Sequence, residues 1–558
     1  MRLHLFLGLT IYFVVKSGFA AEQIGPDIQR RQTIQLEQNQ LRHKTDVDIL
    51  DTDTGRKDIS RVIVEETPCF TLTALEWQGA EAFPWLIEEG ARFIGECIGA
   101  TSLANIRNHL VLALIARGYV TSRVVYPKQN LATGTLHIEL IPGRIGKIES
   151  SGEYIGLKWF PLATHVGNLL NQRDLDQTLE NFRRLPSHAQ TRFELIPGEN
   201  LGESNLRLLL GRSGRIHGNF ALDDAGSKST GQYQLSGSLV LDSPLGLYDS
   251  LSITYNTNAN TRNSTLGNRA SGVQWNVPLG YASVFLGANQ SNYKQTVAGF
   301  NAPIAYTGTS RAYEAGLGLT SYRSGNHKGQ SQLKVFRKVS RNHIDDAEIS
   351  VQARDIIGAE LAHTHKLFVG DWTLAATATV RASLPSHSKN VGVIVGITEW
   401  DGHYRLGIFN FVAARGFNSA GHTWRYQTQL RWQHSTTPLP PTEYVSIGGR
   451  YSVRGFDGEQ TLSSESGGYW RNELGLSVSA SALPGSHETY LALDAGRIAG
   501  AQSAGLAHRN LIGTAIGLRG NIGHASYDLS LGWPLDKPDT LTTRRPAVAI
   551  YFGFDFNT

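Results

Sequence analysis

Tyr451-Ser452-Val453-Arg454-Gly455-Phe456-Asp457-Gly458 places one arginine between small residues and an aromatic, in a glycine-rich region. Segments that alternate apolar and polar residues flank it on both sides, so it reads as a loop between β-strands. A lone arginine in such a loop suits a position tucked inside a wet barrel lumen, where a wall carboxylate would receive it.

The flanking strands carry that reading. In Trp372 to Arg381 one face is Trp, Leu, Ala, Ala, Val and the other Thr, Ala, Thr, Thr, Arg. Trp424, Tyr426, Leu430 and Trp432 share a face, with Arg425, Gln427, Gln429, Arg431 and Gln433 opposite. Leu251 to Asn256 and Tyr233 to Asp242 alternate in the same way. A soluble sandwich would hide its apolar face, whereas an outer-membrane barrel turns it to lipid and lines its lumen with the polar one. The run from 212 to 558 is too long for a single sandwich, and its aromatics gather near strand ends, as an interfacial girdle requires. Val548, Ile550, Phe552, Phe554 and Phe556 form an aromatic-rich final strand, followed here by Asn557 and Thr558. At roughly 20 to 22 residues per strand and turn, the run holds about 16 antiparallel strands, an even number as bacterial barrels have.

Upstream, the 558-residue chain is too long for one core. Residues 1–20 read as a signal peptide: Arg2 and His4, an apolar run from Leu5 to Val15, then Gly18-Phe19-Ala20, with cleavage near Ala20 or Ala21. The run falls short of the ~20 residues of a membrane anchor, and no later segment is longer; Leu110 to Ala116 ends at Arg117. An exported chain without a membrane helix can still span a membrane as a closed barrel. The net charge of +4 is too small to suggest a nucleic-acid partner. Residues 21–44 contain a helix over Asp27–Lys44 that is polar nearly all round, which suits water or a wet cavity and not a dry core. Residues 45–66 read as an extended linker.

Residues 67–142 and 143–211 read as two small α/β modules. The first runs β-α-α-β-β: a strand over Cys69–Trp77, a helix with Leu103, Ile106, Leu110, Leu114 and Ile115 at helical spacing, then strands over 119–126 and 135–141. The second repeats this in degraded form, with strands over 145–149, 190–196 and 205–210 and a helix over Asp174–Arg184 carrying Leu175, Leu179 and Phe182 on one face. Leu140-Ile141-Pro142-Gly143 and Leu195-Ile196-Pro197-Gly198 echo each other. The two cysteines, Cys69 and Cys97, both lie in the first module. In an exported chain an isolated pair is expected as a disulfide, here tying the first strand to the end of the first helix; a metal site is disfavoured by the lack of a histidine cluster.

With these parts in order and Val453-Arg454-Gly455-Phe456 near the end, the chain resembles the two-partner secretion translocators of the outer membrane (the TpsB family), and Pro68-Cys69-Phe70 is more similar to their ShlB/CdiB-like branch. The resemblance spans essentially the whole chain. It implies an all-β transmembrane barrel over 212–558, two periplasmic POTRA domains over 67–142 and 143–211, and a plug helix over 21–44 in the lumen. Val453, Arg454, Gly455 and Phe456 match the signature of the sixth extracellular loop, which folds back into the pore. Leu493-Asp494-Ala495-Gly496-Arg497 matches the Asp-x-Gly motif of a later strand. Leu491 and Leu493 would face lipid, so Asp494 faces the lumen and is the expected partner of Arg454, with Gly496 beside it. Gly532-Trp533-Pro534-Leu535 resembles a further recurrent element.

The resemblance also implies a function: capture of an unfolded exoprotein by the POTRA domains and its export through the barrel of a Gram-negative outer membrane. The expected partners are a large exoprotein with an N-terminal secretion domain, a contact-dependent inhibition toxin or a haemolysin among the candidate cargoes; outer-membrane lipid; and the barrel assembly machinery at insertion. A monomer without cofactor or metal is expected, and no P-loop is present, since Gly448-Gly449 lacks the lysine pattern. An insertase of the BamA type shares the loop motif but usually carries more modules and no plug helix. A barrel hydrolase would need a Ser/His or paired-carboxylate site. His363 and His365 stand two apart on a strand without a nucleophile motif, which reads as a solvated pair.

Overall fold

The computed structural model describes residues 30, 62–151, 159–211, 213–263, 265–297, 302–388, 400–478 and 484–557. The expected signal peptide, residues 45–61 of the expected linker and all of the expected plug helix except Arg30 lie outside them.

In the first module Thr135–Ile141 is the central strand, parallel to Ala74–Gln78 and antiparallel to Arg123–Val125. Helices α1 (Pro84–Ala91) and α2 (Ala100–Ala116) pack on this sheet. Ile106, Leu110 and Leu114, spaced by four, are fully buried with Phe83, Leu86, Leu136 and Ile138; Ile115 lies off that stripe and is exposed. α2 starts after Gly99 without a side-chain cap of its own. Glu66 supplies one from outside, accepting from the amides of Gly99 (3.1 Å), Thr101 (2.9 Å) and Ser102 (2.8 Å). These bonds, Ser102's first, hold the Glu66 carboxyl down at about 2. Val64 and Val62 also bond Ser102 and Asn105, so residues 62–66, expected in an extended linker, are fastened to α2. Cys69 and Cys97 form the expected disulfide. Cys97, however, sits in a two-residue strand between the helices, paired with Phe70–Thr71, and not at a helix end.

The second module has the same topology. Glu203–Leu209 is central, parallel to Arg144–Ser151 and antiparallel to Arg192–Pro197, with α3 (Gln172–Arg183) packed on the sheet. The two sequence echoes are not equivalent positions in this repeat. Leu140–Gly143 leaves a central strand and Leu195–Gly198 an edge strand. Both lie at strand exits; the repeat itself lies in the topology.

Sixteen antiparallel strands then close into a barrel, from Ile216–Asp223 round to Ala547–Asn557, with a two-residue strand, Ala347–Glu348, added at one hairpin. Tyr551 to Asn557 pair with Asp223 back to His217, which closes the ring and removes both sheet edges. The strands are short beside this seam and reach 20 residues at Ile304–Arg323. The faces follow the period of two. Leu317, Leu333, Leu361, Val380, Trp432, Leu491 and Leu493 are exposed outward, and Thr377, Thr379, Arg381, Gln429, Arg431 and Gln433 line a lumenal cavity of about 1540 Å³.

α3 seats the second module on the barrel rim. Arg323 grips Glu180 with two nitrogens, at 2.7 and 2.9 Å, and Lys328 Nζ lies 2.6 Å from the same carboxylate. Tyr281 donates to Asp174 at 2.6 Å, Asn181 to the Gly280 carbonyl at 2.7 Å, and Arg184 to the Tyr248 carbonyl at 2.6 Å. Gln177, Glu180 and Asn181 reach the lumenal cavity, so α3 forms part of its floor.

Candidate functional site: the loop folded into the lumen

Residues 436–465 join the barrel strands His422–Ser435 and Ser466–Val478. The short strands Val445–Ile447 and Leu462–Ser464 pair as the neck of a hairpin, and its tip enters the barrel. Arg454 meets the wall where the sequence motif led. Its Nε and Nη2 donate to the two oxygens of Asp494 at 2.7 and 2.8 Å, a fork-to-fork pair, and its backbone amide adds a third bond to Asp494 at 2.9 Å. Asp494 is fully buried and also accepts from the amide of Asn472 at 3.2 Å. Removing one member of such a pair leaves a desolvated charge behind, a cost of about 3–5 kcal/mol.

The expected single carboxylate is in fact two. Arg454 Nη1 also bonds Glu473, on the neighbouring strand. Glu473 in turn meets Arg425 at 2.9 Å and Arg519, and both arginines reach Glu488. Glu473 belongs to no motif. Its signal was parity alone: it lies on the lumenal face of a strand next to the one that carries Asp494.

Small residues let the loop backbone approach this wall. Gly455 has φ +100°, a conformation that side chains disfavour, and a Cβ there would lie 2.4 Å from the Trp533 carbonyl oxygen. A Cβ on Gly513 would lie 1.9 Å from the Arg454 carbonyl oxygen, and one on Gly532 2.8 Å from the Gly455 backbone. Gly496 leaves room for Val453. Val453 and Phe456 are buried with Ile447, Ile498, Leu511 and Leu541. Gly532 of the expected Gly-Trp-Pro-Leu element is therefore a floor for the loop; Gly513 was not read from the sequence. Around the tip, Arg450 bonds Asp224, Glu459 accepts from the Lys228 amide at 3.1 Å, and Asp457 accepts from the Arg544 amide at 3.0 Å.

Arg30 is helical, buried, lines the same cavity and donates to the Pro441 carbonyl at 3.2 Å. His363 and His365, expected as a solvated pair, face outward, because Ala362, Thr364 and Lys366 take the lumenal side of their strand. His363 Nδ1 lies 3.0 Å from Ser331 Oγ, a cross-strand neighbour that no linear motif could show. Among the described residues, the hydrogen bonds of His363 include no carboxylate to orient the ring.

Against known proteins, the family of haemolysin secretion/activation proteins ShlB/FhaC/HecB matches residues 202–520, and the ShlB-type POTRA domain matches residues 70–143. The outer membrane transporter CdiB-2 of Burkholderia pseudomallei is 28% identical, covering 90% of this chain and 89% of that one. The haemolysin transporter protein ShlB of Serratia marcescens is 26% identical over 80% and 78%. The solved structure of CdiB from Escherichia coli superposes with a TM-score of 0.83 at 25% identity, covering 95% of this chain and 98% of the other; CdiB from Acinetobacter baumannii gives the same values.

Proposed function

Since the chain belongs to the ShlB/FhaC/HecB family of haemolysin secretion/activation proteins, we propose how its parts carry out the two-partner secretion that defines it. The protein is an outer-membrane transporter that exports a partner exoprotein through its barrel, with its POTRA domains in the periplasm. The cargo is a toxin of contact-dependent inhibition or a haemolysin, a reading supported by relatives named outer membrane transporter CdiB-2 and haemolysin transporter protein ShlB.

The POTRA sheets have open edges at Arg123–Val125 and Arg192–Pro197, and an extended segment of the cargo adds to such an edge through backbone bonds. Capture then needs few specific side chains, as an unfolded cargo requires. The N-terminal segment fills the resting lumen and leaves before the cargo passes, and residues 45–61 give it reach. Val453, Arg454, Gly455 and Phe456 hold the loop in the pore as a latch against Asp494 and Gly496. The single observation that carries this reading is the buried fork between Arg454 and Asp494, which ties an extracellular loop to the lumenal wall. With no nucleotide site in the sequence, folding of the cargo outside the cell draws it out.

The test is secretion of the cognate exoprotein by Arg454→Ala and Asp494→Ala. Both variants should keep the gel mobility of a folded barrel and lose most of the exoprotein from the medium. Wild-type secretion by both would refute the latch.

A further inference from the structure

The outer face of the barrel changes character along four consecutive strands, Gly267–Leu279, Ala282–Val297, Ile304–Arg323 and His327–Ile344. Over the half nearer the rim that seats α3, its outward residues are apolar, with Leu286, Leu317, Leu319 and Leu333 all exposed. Strand parity carries the same face on to Arg269, Lys294, Arg311, Arg337 and Arg341, all exposed, toward the rim away from the POTRA domains. The change falls at Tyr313, which is exposed and pairs across the ladder with Arg337. On the same strand the exposed Tyr322 marks the other end of the apolar stretch. At the rise and tilt of barrel strands the two tyrosines stand about 23 Å apart along the barrel axis, close to the ~25 Å height of an outer-membrane apolar band. The cations therefore stand at the level of the outer-leaflet headgroups.

Two of them are already neutralised. Arg337 grips Asp355 with two nitrogens, at 2.9 and 2.7 Å, and Arg341 meets Glu348 at 3.0 Å. Arg269, Lys294 and Arg311 form no ion pair among the described residues. Arg311 donates to the neutral amide oxygen of Gln290 at 3.2 Å. The turn beyond Ile344 carries Asp345 and Asp346, of which Asp345 accepts from the Ala305 amide at 2.9 Å. The ladder gathers the three unneutralised cations. Arg269 pairs with Asn292, two residues before Lys294, and Arg311 pairs with Gln290, two residues before Asn292. Three strands thus bring three cations into a patch about 15 Å across. Among the described residues, the outward rows of Asn510–Ile522, Ala525–Asp536 and Ala547–Asn557, beside the seam, hold no cation.

We propose that Arg269, Lys294 and Arg311 dock the phosphate groups of lipopolysaccharide, the anionic glycolipid of the outer leaflet. The arginine forks match phosphate oxygens, and Lys294 adds a point charge. Gln290, whose oxygen receives Arg311, turns its NH2 to a further oxygen of the headgroup. The apolar wall below Tyr313 receives the acyl chains, so the patch continues the barrel's own lipid interface. The site lies outside the lumen and is independent of the loop and of the cargo's path.

The test uses the full-length protein in neutral detergent micelles, titrated with fluorescently labelled lipopolysaccharide, on variants whose gel mobility shows a folded barrel. The triple variant Arg269→Gln, Lys294→Gln, Arg311→Gln should bind roughly tenfold more weakly, the scale of three exposed charge contacts acting together. Arg405→Gln removes an exposed cation from the outward row of another wall and should bind as wild type. Wild-type affinity in the triple variant would overturn the proposal. So would equal affinity of the wild-type protein for the same lipid stripped of its phosphates, which would leave the apolar wall as the whole contact. Should the triple variant not assemble, Lys294→Gln alone should weaken binding about twofold, and unchanged binding there would equally overturn it. A triple variant that binds the lipid normally yet loses exoprotein from the medium would assign the cations to the cargo and sink the lipid site.

Discussion

At the tip of the loop, an arginine and three glycines do complementary work. Arg454 supplies attraction, and Gly455, Gly513 and Gly532 allow the backbone close enough for it to act. Sequence made the first half visible, because strand parity put Asp494 on the face opposite Leu491 and Leu493. The second half is a matter of backbone approach between strands far apart in the chain. Gly513→Ala should therefore behave like loss of the ion pair, since its methyl would collide with the Arg454 carbonyl. Protease nicking of the loop should rise and secretion fall, whereas Gly416→Ala, with nothing within 4 Å of the added carbon, should change neither. Unchanged secretion by Gly513→Ala would argue against close seating of the loop. Glu66 makes a pH prediction at the same scale. Its folded value of about 2 lies below the ordinary 4.5, so the stability it contributes is present above pH 4.5 and is lost as pH falls toward 2. Hydrogen exchange at the Gly99, Thr101 and Ser102 amides, corrected for intrinsic rate, should lose protection over that window, and Glu66→Gln should flatten the dependence.

At the scale of elements, α3 decides how the periplasmic part meets the barrel. Its polar face was legible as amphipathic, with Leu175 and Phe182 directed to its own sheet. What the polar face would meet was not legible, because Glu180 binds Arg323 and Lys328 from more than a hundred residues away. Two cations sharing one buried carboxylate make the seat sensitive to that acid. Glu180→Gln should widen the spin-label distance distribution between α3 and the rim near Gly280, in a barrel that still migrates as folded. An unchanged distribution would assign the seating to Asn181, Arg184 and Tyr281 instead.

At the scale of the molecule, closure by Tyr551–Asn557 on His217–Asp223 leaves the lumen as the way through, and that lumen is occupied. The loop crosses it from two walls, α3 floors it, and Arg30 lies within it. Deleting residues 22–44 should raise conductance in planar bilayers several-fold, within the range that removing one obstruction from a wide barrel allows. An unchanged conductance would mean that the N-terminal segment does not obstruct the pore.

The period-two alternation from 212 onward gave the direction of each face, because lipid outside and water inside act on every second residue, and the length of the run, its aromatics near strand ends and the aromatic last strand pointed to a barrel of about 16 strands. The Val-Arg-Gly-Phe and Asp-x-Gly motifs were enough to name the central pair. The tertiary structure alone decided the rest: the second carboxylate Glu473, the glycine floor at Gly513 and the seat of α3. Each depends on how deep the loop inserts and which strands then stand beside it. That is a property of a closed ring, in which residues hundreds of positions apart become neighbours, and no local pattern records it.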